Sequence, residues 1–451
     1  MIAPARTAAF RALHAVTDGR LDLPAALESS RHELKSARDR ALTHEIVTGT
    51  LRWRRALDHL VVAFSRRPLA RIDRTTLTVL RLSAYQILHL DRVPASAVVG
   101  DAVDLARATG TSSASGFVNA VLRSLIRTRH ALPLPPRPSA DDTPAALNYL
   151  GIAHSHPAWL VERWLARVGL ENAERWVRFN NRPAPLTLRV NTLQATVEEA
   201  RRTLQLDSIE TELTPYAPAG LVVRSGQLLA RLDDGLVFIQ DEASQLVTLA
   251  VGAAPGERVL DLCAAPGGKT TAVAADMHDR GLLVAADVRV RRVALLRDTV
   301  RRSGATTIRI VRVAPDRSLP FAATFDRVLV DAPCSGLGTL RRDPDVKWRR
   351  QPSDLPALAA NQLRLLERAA AVVRPSGRLV YSTCSSEPEE NEHVVAAFLE
   401  RHPVFEQVDL GADPSIPEGV RPLVEPSGAI RTCPHDHGLE AFYAAALQRR
   451  H

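Results

Sequence analysis

Val259-Leu260-Asp261-Leu262-Cys263-Ala264-Ala265-Pro266-Gly267-Gly268-Lys269-Thr270 is the stretch on which the reading of this chain turns. An apolar run gives way to small residues and two glycines, and a helical pattern resumes from Thr270 to Ala275, which predicts strand, tight turn and helix. Such a turn brings bare backbone N–H groups and a helix N-terminus up to a ligand. Two later loops each carry one cysteine: Asp331-Ala332-Pro333-Cys334 follows the apolar run Val328 to Val330, and Ser382-Thr383-Cys384-Ser385 follows Leu379 to Tyr381. All three stretches are expected at strand ends on one rim of a sheet, where open α/β sheets bind ligands. A phosphate-binding P-loop is disfavoured, because Cys263 stands where its first glycine belongs and Pro266 lacks an amide. A dinucleotide fingerprint is absent too, since no Gly-x-Gly-x-x-Gly occurs.

Working outward, strand patterns near 258–263, 282–287, 307–312, 326–331 and 378–383 alternate with helical ones near 270–278, 290–302, 356–373 and 390–401. This alternation predicts a mostly parallel sheet with helices on both faces. Upstream, residues 1–130 read as helices throughout, with Leu77, Leu80, Ala84, Ile87 and Leu88 at helical spacing, as are Val118, Val121, Leu122 and Leu125. Residues 131–144 hold five prolines and read as a linker. From 145 to 250 a helical segment, with Trp164 and Trp176 expected in its core, precedes strand patterns at 186–191, 210–213 and 221–224 and a helix at 197–204, a small α+β region.

Composition narrows the class. With 45% hydrophobic and 24% charged residues, 451 residues suit two or three ordinary folded domains. No export signal or membrane span is indicated, and four scattered cysteines without a metal-like cluster are expected as reduced thiols in a cytoplasmic protein with no metal. The net charge of +8 is uneven: residues 1–140 carry 21 Lys+Arg against 11 Asp+Glu. A polyanion such as RNA is the natural partner for that excess, although a merely basic surface would look the same. Among 58 Lys+Arg only Lys35, Lys269 and Lys347 are lysine, and two of them adjoin the motifs.

The three ordered motifs, Asp261 to Thr270, Asp331-Ala332-Pro333-Cys334-Ser335-Gly336, and Ser382-Thr383-Cys384-Ser385 with Pro388-Glu389-Glu390-Asn391-Glu392, resemble the RNA cytosine-5 methyltransferases that use S-adenosylmethionine. The likeness runs over nearly the whole chain and is nearest to the bacterial branch acting on 16S ribosomal RNA. Arg38-Asp39-Arg40, Leu51-Arg52, Ala84-Tyr85-Gln86 and Asn119-Ala120-Val121-Leu122-Arg123 are similar to the NusB-type RNA-binding domain of that branch. The resemblance implies a NusB-like all-α bundle at 1–130, a linker at 131–144, a helical plus α+β region at 145–250, and a Rossmann-like class I methyltransferase at 251–451. The chain is expected to act as a monomer.

Carried over by motif, the resemblance implies cofactor contacts at Cys263, Ala264, Ala265, Pro266, Gly267, Gly268, Lys269, Asp287 and Asp331. The family's aspartate for the adenine is replaced by proline, and Asp316, one position later, is carried as its substitute. Carbon 5 of cytosine is too poor a nucleophile to take a methyl group unaided, so a thiolate adding at carbon 6 is required. Spacing does not say which cysteine attacks. The resemblance assigns attack to Cys384, product release to Cys334, and a hydrogen bond near N3 of the base to Asp331. Arg341, Arg342, Lys347, Trp348 and Arg349 are candidates for phosphate contacts and base stacking, with a solvated loop anchored by one tryptophan as the equal alternative. Glu389, Glu390 and Glu392 read as complements to a helix dipole. The same chemistry on transfer RNA or another ribosomal cytosine, or a noncatalytic RNA-binding or assembly factor, are the competing functions.

Overall fold

Helix-period apolar residues in the first third of the chain need partners for their buried faces, and they find them in one another. In the computed structural model, which describes residues 2–139, 142–228, 232–315 and 317–451, the chain divides into two units. The first comprises Met1–Pro183 together with Leu340–Arg349. Its longer helices are α1 (Pro4–Thr17), α2 (Leu23–Glu33), α3 (Ala37–Arg52), α4 (Arg54–Ser65), α5 (Arg74–His89), α6 (Ala95–Ala108), α7 (Ser115–Arg127), α8 (Thr143–Asn148) and α9 (Ala158–Asn180). Asp22, Ser36 and Asp73 cap α2, α3 and α5 by accepting a backbone N–H of the first turn. Helix α5 is buried from Thr76 to Gln86 and is the bundle's core helix. It lies so close to α3 that any side chain at Gly49 would collide with the ring of Tyr85. Trp164 and Trp176 stack with centroids 4.8 Å apart inside α9, in the core role expected of them.

The second unit holds two sheets. The smaller has β1 (Thr187–Val190), β2 (Glu210–Leu213), β3 (Gly220–Ser225) and β4 (Val237–Ile239), antiparallel in the order β2-β3-β1-β4. Helix α10 (Val197–Leu206) opens with a capping box between Thr196 and Glu199 and covers this sheet with Ala200 and Leu204. Strand β4, at three residues too short to show alternation, was not anticipated.

The larger sheet contains β5 (Arg258–Asp261), β6 (Leu282–Asp287), β7 (Ile308–Arg312), β8 (Phe325–Asp331), β9 (Val373–Thr383), β10 (Phe405–Gln407), β11 (Ile430–Thr432) and β12 (Phe442–Arg449). Its order is β10-β12-β9-β8-β5-β6-β7, with β11 also on β12. Strands β9, β8, β5, β6 and β7 run parallel, and β12 pairs antiparallel with β9. Alternate residues serve opposite faces. Val259, Leu329 and Val380 pack with α11 (Glu242–Val251), α12 (Gly268–Asp276) and α13 (Val290–Ser303), whereas Leu260, Val328 and Leu379 pack with α14 (Asp354–Ala370) and α15 (Glu392–Arg401). Each such fully buried aliphatic side chain contributes roughly 1.5–3 kcal/mol.

From β5 the chain winds outward through β6 and β7, then returns to the other side of β5 for β8 and β9. Strand order therefore reverses between β5 and β8, and the crevice beyond their C-terminal ends is the topological switch point. Both cysteine loops and the glycine turn open onto it. Among the described residues no helix is long and apolar enough to cross a membrane.

Candidate active site

The glycine turn is held from three sides. Gly267 has φ of +110°, a conformation that L side chains rarely adopt, and a side chain there would also crowd Leu296 and Thr299 at 3.0–3.1 Å. Asp287, at the end of β6 and 3% exposed, accepts from the amides of Ala265 (3.3 Å), Val288 (2.8 Å) and Arg289 (3.2 Å), with Arg292 at 3.5 Å. Arg189 reaches from β1, donating to Thr271 Oγ1 at 2.7 Å, the Gly268 carbonyl at 3.3 Å and Gln240 Oε1 at 2.7 Å. The small sheet thus braces the first turn of α12.

Asp261, which the sequence reading left as a strand residue, proves to be part of this pocket. Thr270 Oγ1 donates to its Oδ2 at 2.6 Å, while its buried Oδ1 has no hydrogen-bond partner among the described residues. Burial pushes the Asp261 carboxyl up to about 7, and the nearby charges of Asp331 and Asp287 push the same way. Three acidic side chains, one with an unpaired buried oxygen, disfavour a polyphosphate and suit a ligand bearing positive charge. S-adenosylmethionine, with its sulfonium and ammonium groups, fits that field. Cys263 is half-buried, and desolvation raises the pKa of its thiol, so it stays neutral in the turn. Asp316 lies outside the described residues.

The cysteine loops meet because β8 and β9 are neighbours in register. Asp331 pairs with Ser382, and Cys334 and Cys384 follow within three residues of the strand ends. Their sulfurs lie 3.2 Å apart. Asp331 accepts from Lys269 Nζ at 2.8 Å on one oxygen and from Ser382 Oγ at 2.8 Å on the other. Burial alone would lower the Lys269 pKa, but Asp331, and beyond it Cys384, raise it overall, so the ammonium stays charged. Lys269, expected from its motif as a cofactor residue, is therefore paired with Asp331. The Cys334 thiol is pushed well above its usual range, first by its hydrogen bond with Cys384 and then by burial.

Two residues behind the loops carry more than a helix dipole requires. Glu390, fully buried, accepts from the Ser335 amide at 2.8 Å, Ser385 Oγ at 2.5 Å and Gln362 Nε2 at 2.9 Å. Asn391 accepts from Thr383 Oγ1 at 2.5 Å and donates to the Ser385 carbonyl at 3.0 Å, gripping the chain on both sides of Cys384. The dipole reading of Glu390 is corrected by its burial: it lies inward, among side chains of three elements. Spacing held no sign of this, because Ser335 and Gln362 lie 55 and 28 positions away in the chain.

The basic stretch 340–349 also departs from expectation. It belongs to the helical unit, where Lys347 is 1% exposed and donates to the carbonyls of Arg52 (2.9 Å) and Ser155 (2.7 Å). Trp348 Nε1 donates to the Leu51 carbonyl at 2.6 Å. Arg341 donates to the Pro183 carbonyl at 2.8 Å and lies over the Phe179 ring. Lys347 and Trp348 are thus structural anchors rather than phosphate and base contacts, since a buried ammonium must satisfy its donors locally. Arg342 is half-buried, and Arg349 is exposed and paired with Asp345.

A switch-point pocket in a doubly wound sheet, extended by an antiparallel strand and lined with carboxylates, defines the class: a class I methyltransferase, here joined in one chain to an all-α bundle. Comparison with known proteins narrows it. The family model for 16S rRNA methyltransferase RsmB/F matches residues 248–448, that of the NusB family residues 3–127, and that of the RsmF/B-like ferredoxin-like domain residues 156–228. The chain is 36% identical over 419 residues to a probable ribosomal RNA small subunit methyltransferase B of Bacillus subtilis, covering 92% of each. It is 32% identical to the ribosomal RNA small subunit methyltransferase B of Pseudomonas syringae pv. tomato, covering 98% of this chain and 96% of that one. A methyltransferase homologue from Pyrococcus horikoshii superposes with a TM-score of 0.57 at 28% identity, covering 68% of this chain and 99% of that one. The chain belongs to the RsmB/F methyltransferase family and is an S-adenosylmethionine-dependent RNA methyltransferase.

Proposed function

We propose that the enzyme methylates carbon 5 of one cytosine in 16S ribosomal RNA through a covalent cysteine–cytosine adduct. One observation carries this reading: two thiols 3.2 Å apart beside the Lys269–Asp331 pair. The methyl donor supplies an electrophilic carbon on a sulfonium. Asp331 and Lys269 orient the base at its N3 edge. The Cys384 thiolate adds at C6, the C5=C6 double bond opens onto C5, and C5 takes the methyl group. The C5 proton then passes to a base, the double bond re-forms and the C6–S bond breaks. Cys334, within hydrogen-bonding distance of the departing sulfur, assists that release. Asp261, Asp287 and the turn from Cys263 to Gly268 hold the methyl donor, and exposed arginines of the helical unit hold RNA. The names of the family model and of the relatives support 16S ribosomal RNA as substrate. A cytoplasmic monomer accords with this reading, since one chain supplies both thiols.

The decisive experiment is bisulfite sequencing of ribosomal and transfer RNA from a strain lacking the gene. One unprotected 16S cytosine is expected; loss confined to transfer RNA would refute the substrate. At the level of chemistry, Cys384→Ala is expected to abolish methyl transfer while RNA still binds. Cys334→Ala should accumulate a protein–RNA adduct that survives denaturing electrophoresis.

A further inference from the structure

The pairing of β8 and β9 ends just where the cysteines begin. The last ladder contacts are Asp331 with Ser382 and the Ala332 amide to the Ser382 carbonyl at 2.8 Å. Beyond that point the sheet no longer sets how far apart Cys334 and Cys384 stand. One further backbone bond, from the Gly338 amide to the Cys384 carbonyl at 2.9 Å, returns from the far end of the first loop. At the cysteines themselves the connection runs through Glu390.

We infer that Glu390 is the positioning residue that sets the separation of the two sulfurs. This inference rests on the reading that both thiols serve one cytosine. Its carboxylate holds the residue immediately after each cysteine: the Ser335 amide on Oε1 at 2.8 Å and the Ser385 hydroxyl on Oε2 at 2.5 Å. The two oxygens of one planar group are a fixed distance apart, so the two loops are spaced by a rigid gauge. The serine hydroxyls close the figure at 3.1 Å from each other.

The gauge is itself held. Gln362 of α14, fully buried, donates to Glu390 Oε1 at 2.9 Å, and the Tyr381 hydroxyl of β9 donates to the Glu390 carbonyl at 2.5 Å. Arg350 Nε donates to the Ser335 carbonyl at 2.9 Å, so the residue after Cys334 is held at both its amide and its carbonyl. A carboxylate is costly to bury, and is tolerated where donors satisfy it. It is also the side chain that accepts on two oxygens at once; a carboxamide accepts on one and presents a donor at the other. The arrangement therefore requires glutamate rather than merely a buried polar group.

The test measures sulfur proximity without turnover. Full-length protein is treated with diamide, which takes two electrons and two protons from the thiol pair and becomes the hydrazine, and Cys334–Cys384 disulfide formation is followed by peptide mass spectrometry. Glu390→Ala removes the acceptor shared by three buried donors, and its oxidation rate should fall about tenfold; Glu390→Gln keeps the shape and should fall about threefold. In steady-state methylation kcat should drop in the same order, with KM for both substrates unchanged. If Glu390→Ala does not fold, Glu390→Gln decides alone. A folded variant that oxidises at the wild-type rate overturns the proposal, as does a raised KM with unchanged kcat. Should Cys384→Ala retain turnover while the Glu390 variants still slow oxidation, the proposed chemistry fails and the gauge stands.

Discussion

Asp261 shows what a single buried carboxyl does to this protein. Its folded pKa of about 7 lies above its ordinary value of 3.8, so the folded state keeps a proton that the unfolded chain has released. Stability from this group is complete below the ordinary value and is lost as pH rises to about 7. Asp261→Asn should therefore flatten the fall in melting temperature of the cofactor-free protein between about pH 5 and pH 7.5. An unchanged slope would mean that the carboxyl is ionised throughout. Above pH 7, where the carboxyl is ionised, the same substitution removes a negative charge from the pocket, and S-adenosylmethionine affinity measured there by calorimetry should weaken about tenfold, the scale of one charge-assisted contact. Asp261 sits between Leu260 and Leu262 in an apolar run, and an acid in a buried strand was the signal that could have singled it out. The cysteines were easier to read: each follows a strand pattern directly, so local periodicity alone places it at a strand end.

At the scale of an element, the stretch 340–349 gives the sharper lesson. Its composition reads as an RNA-binding loop, yet Lys347 meets carbonyls 295 and 192 positions away in the chain, and no local pattern encodes such partners. Burial, and then the charge of Arg52, hold the Lys347 pKa well below its usual value. The unfolded chain thus binds the proton more readily, and this group's contribution to stability rises with pH up to the ordinary lysine range. Lys347→Met should destabilise the protein by about 2 kcal/mol, because two buried carbonyls lose their donor. Arg349→Ala, at an exposed ion pair, should cost less than about 1 kcal/mol. Urea unfolding midpoints that reverse this ordering would return Lys347 to the phosphate-contact role for which it was one candidate. The helices of the bundle and the strands of the large sheet were legible because their apolar periods are local. Strand β4 was not, because its place depends on pairing with β1.

For the whole molecule, the excess of basic residues in the first 140 predicts a measurable electrostatic grip on RNA. Arg38, Arg123 and Arg127 are exposed on the helical unit. Replacing all three with alanine should reduce the slope of log affinity against log salt by about 2, the loss of roughly three phosphate contacts to single-stranded RNA. A slope equal to that of the wild-type protein would remove the bundle from recognition.

What the amino-acid order determined by itself is everything set by short range: an all-α first part, a small α+β region, strand and helix alternating thereafter, and three motifs on strand ends. Periods of 3.6 and 2 are properties of neighbouring residues, so they can be read along the chain. What only the tertiary structure decided is which strand ends lie side by side. Placing β8 between β5 and β9 brings Lys269 to Asp331, Cys334 to Cys384, and Glu390 to both cysteine loops. All of those contacts but the one from Glu390 to Ser385 span fifty residues or more, and they follow from sheet order and register, which the burial of both sheet faces selects.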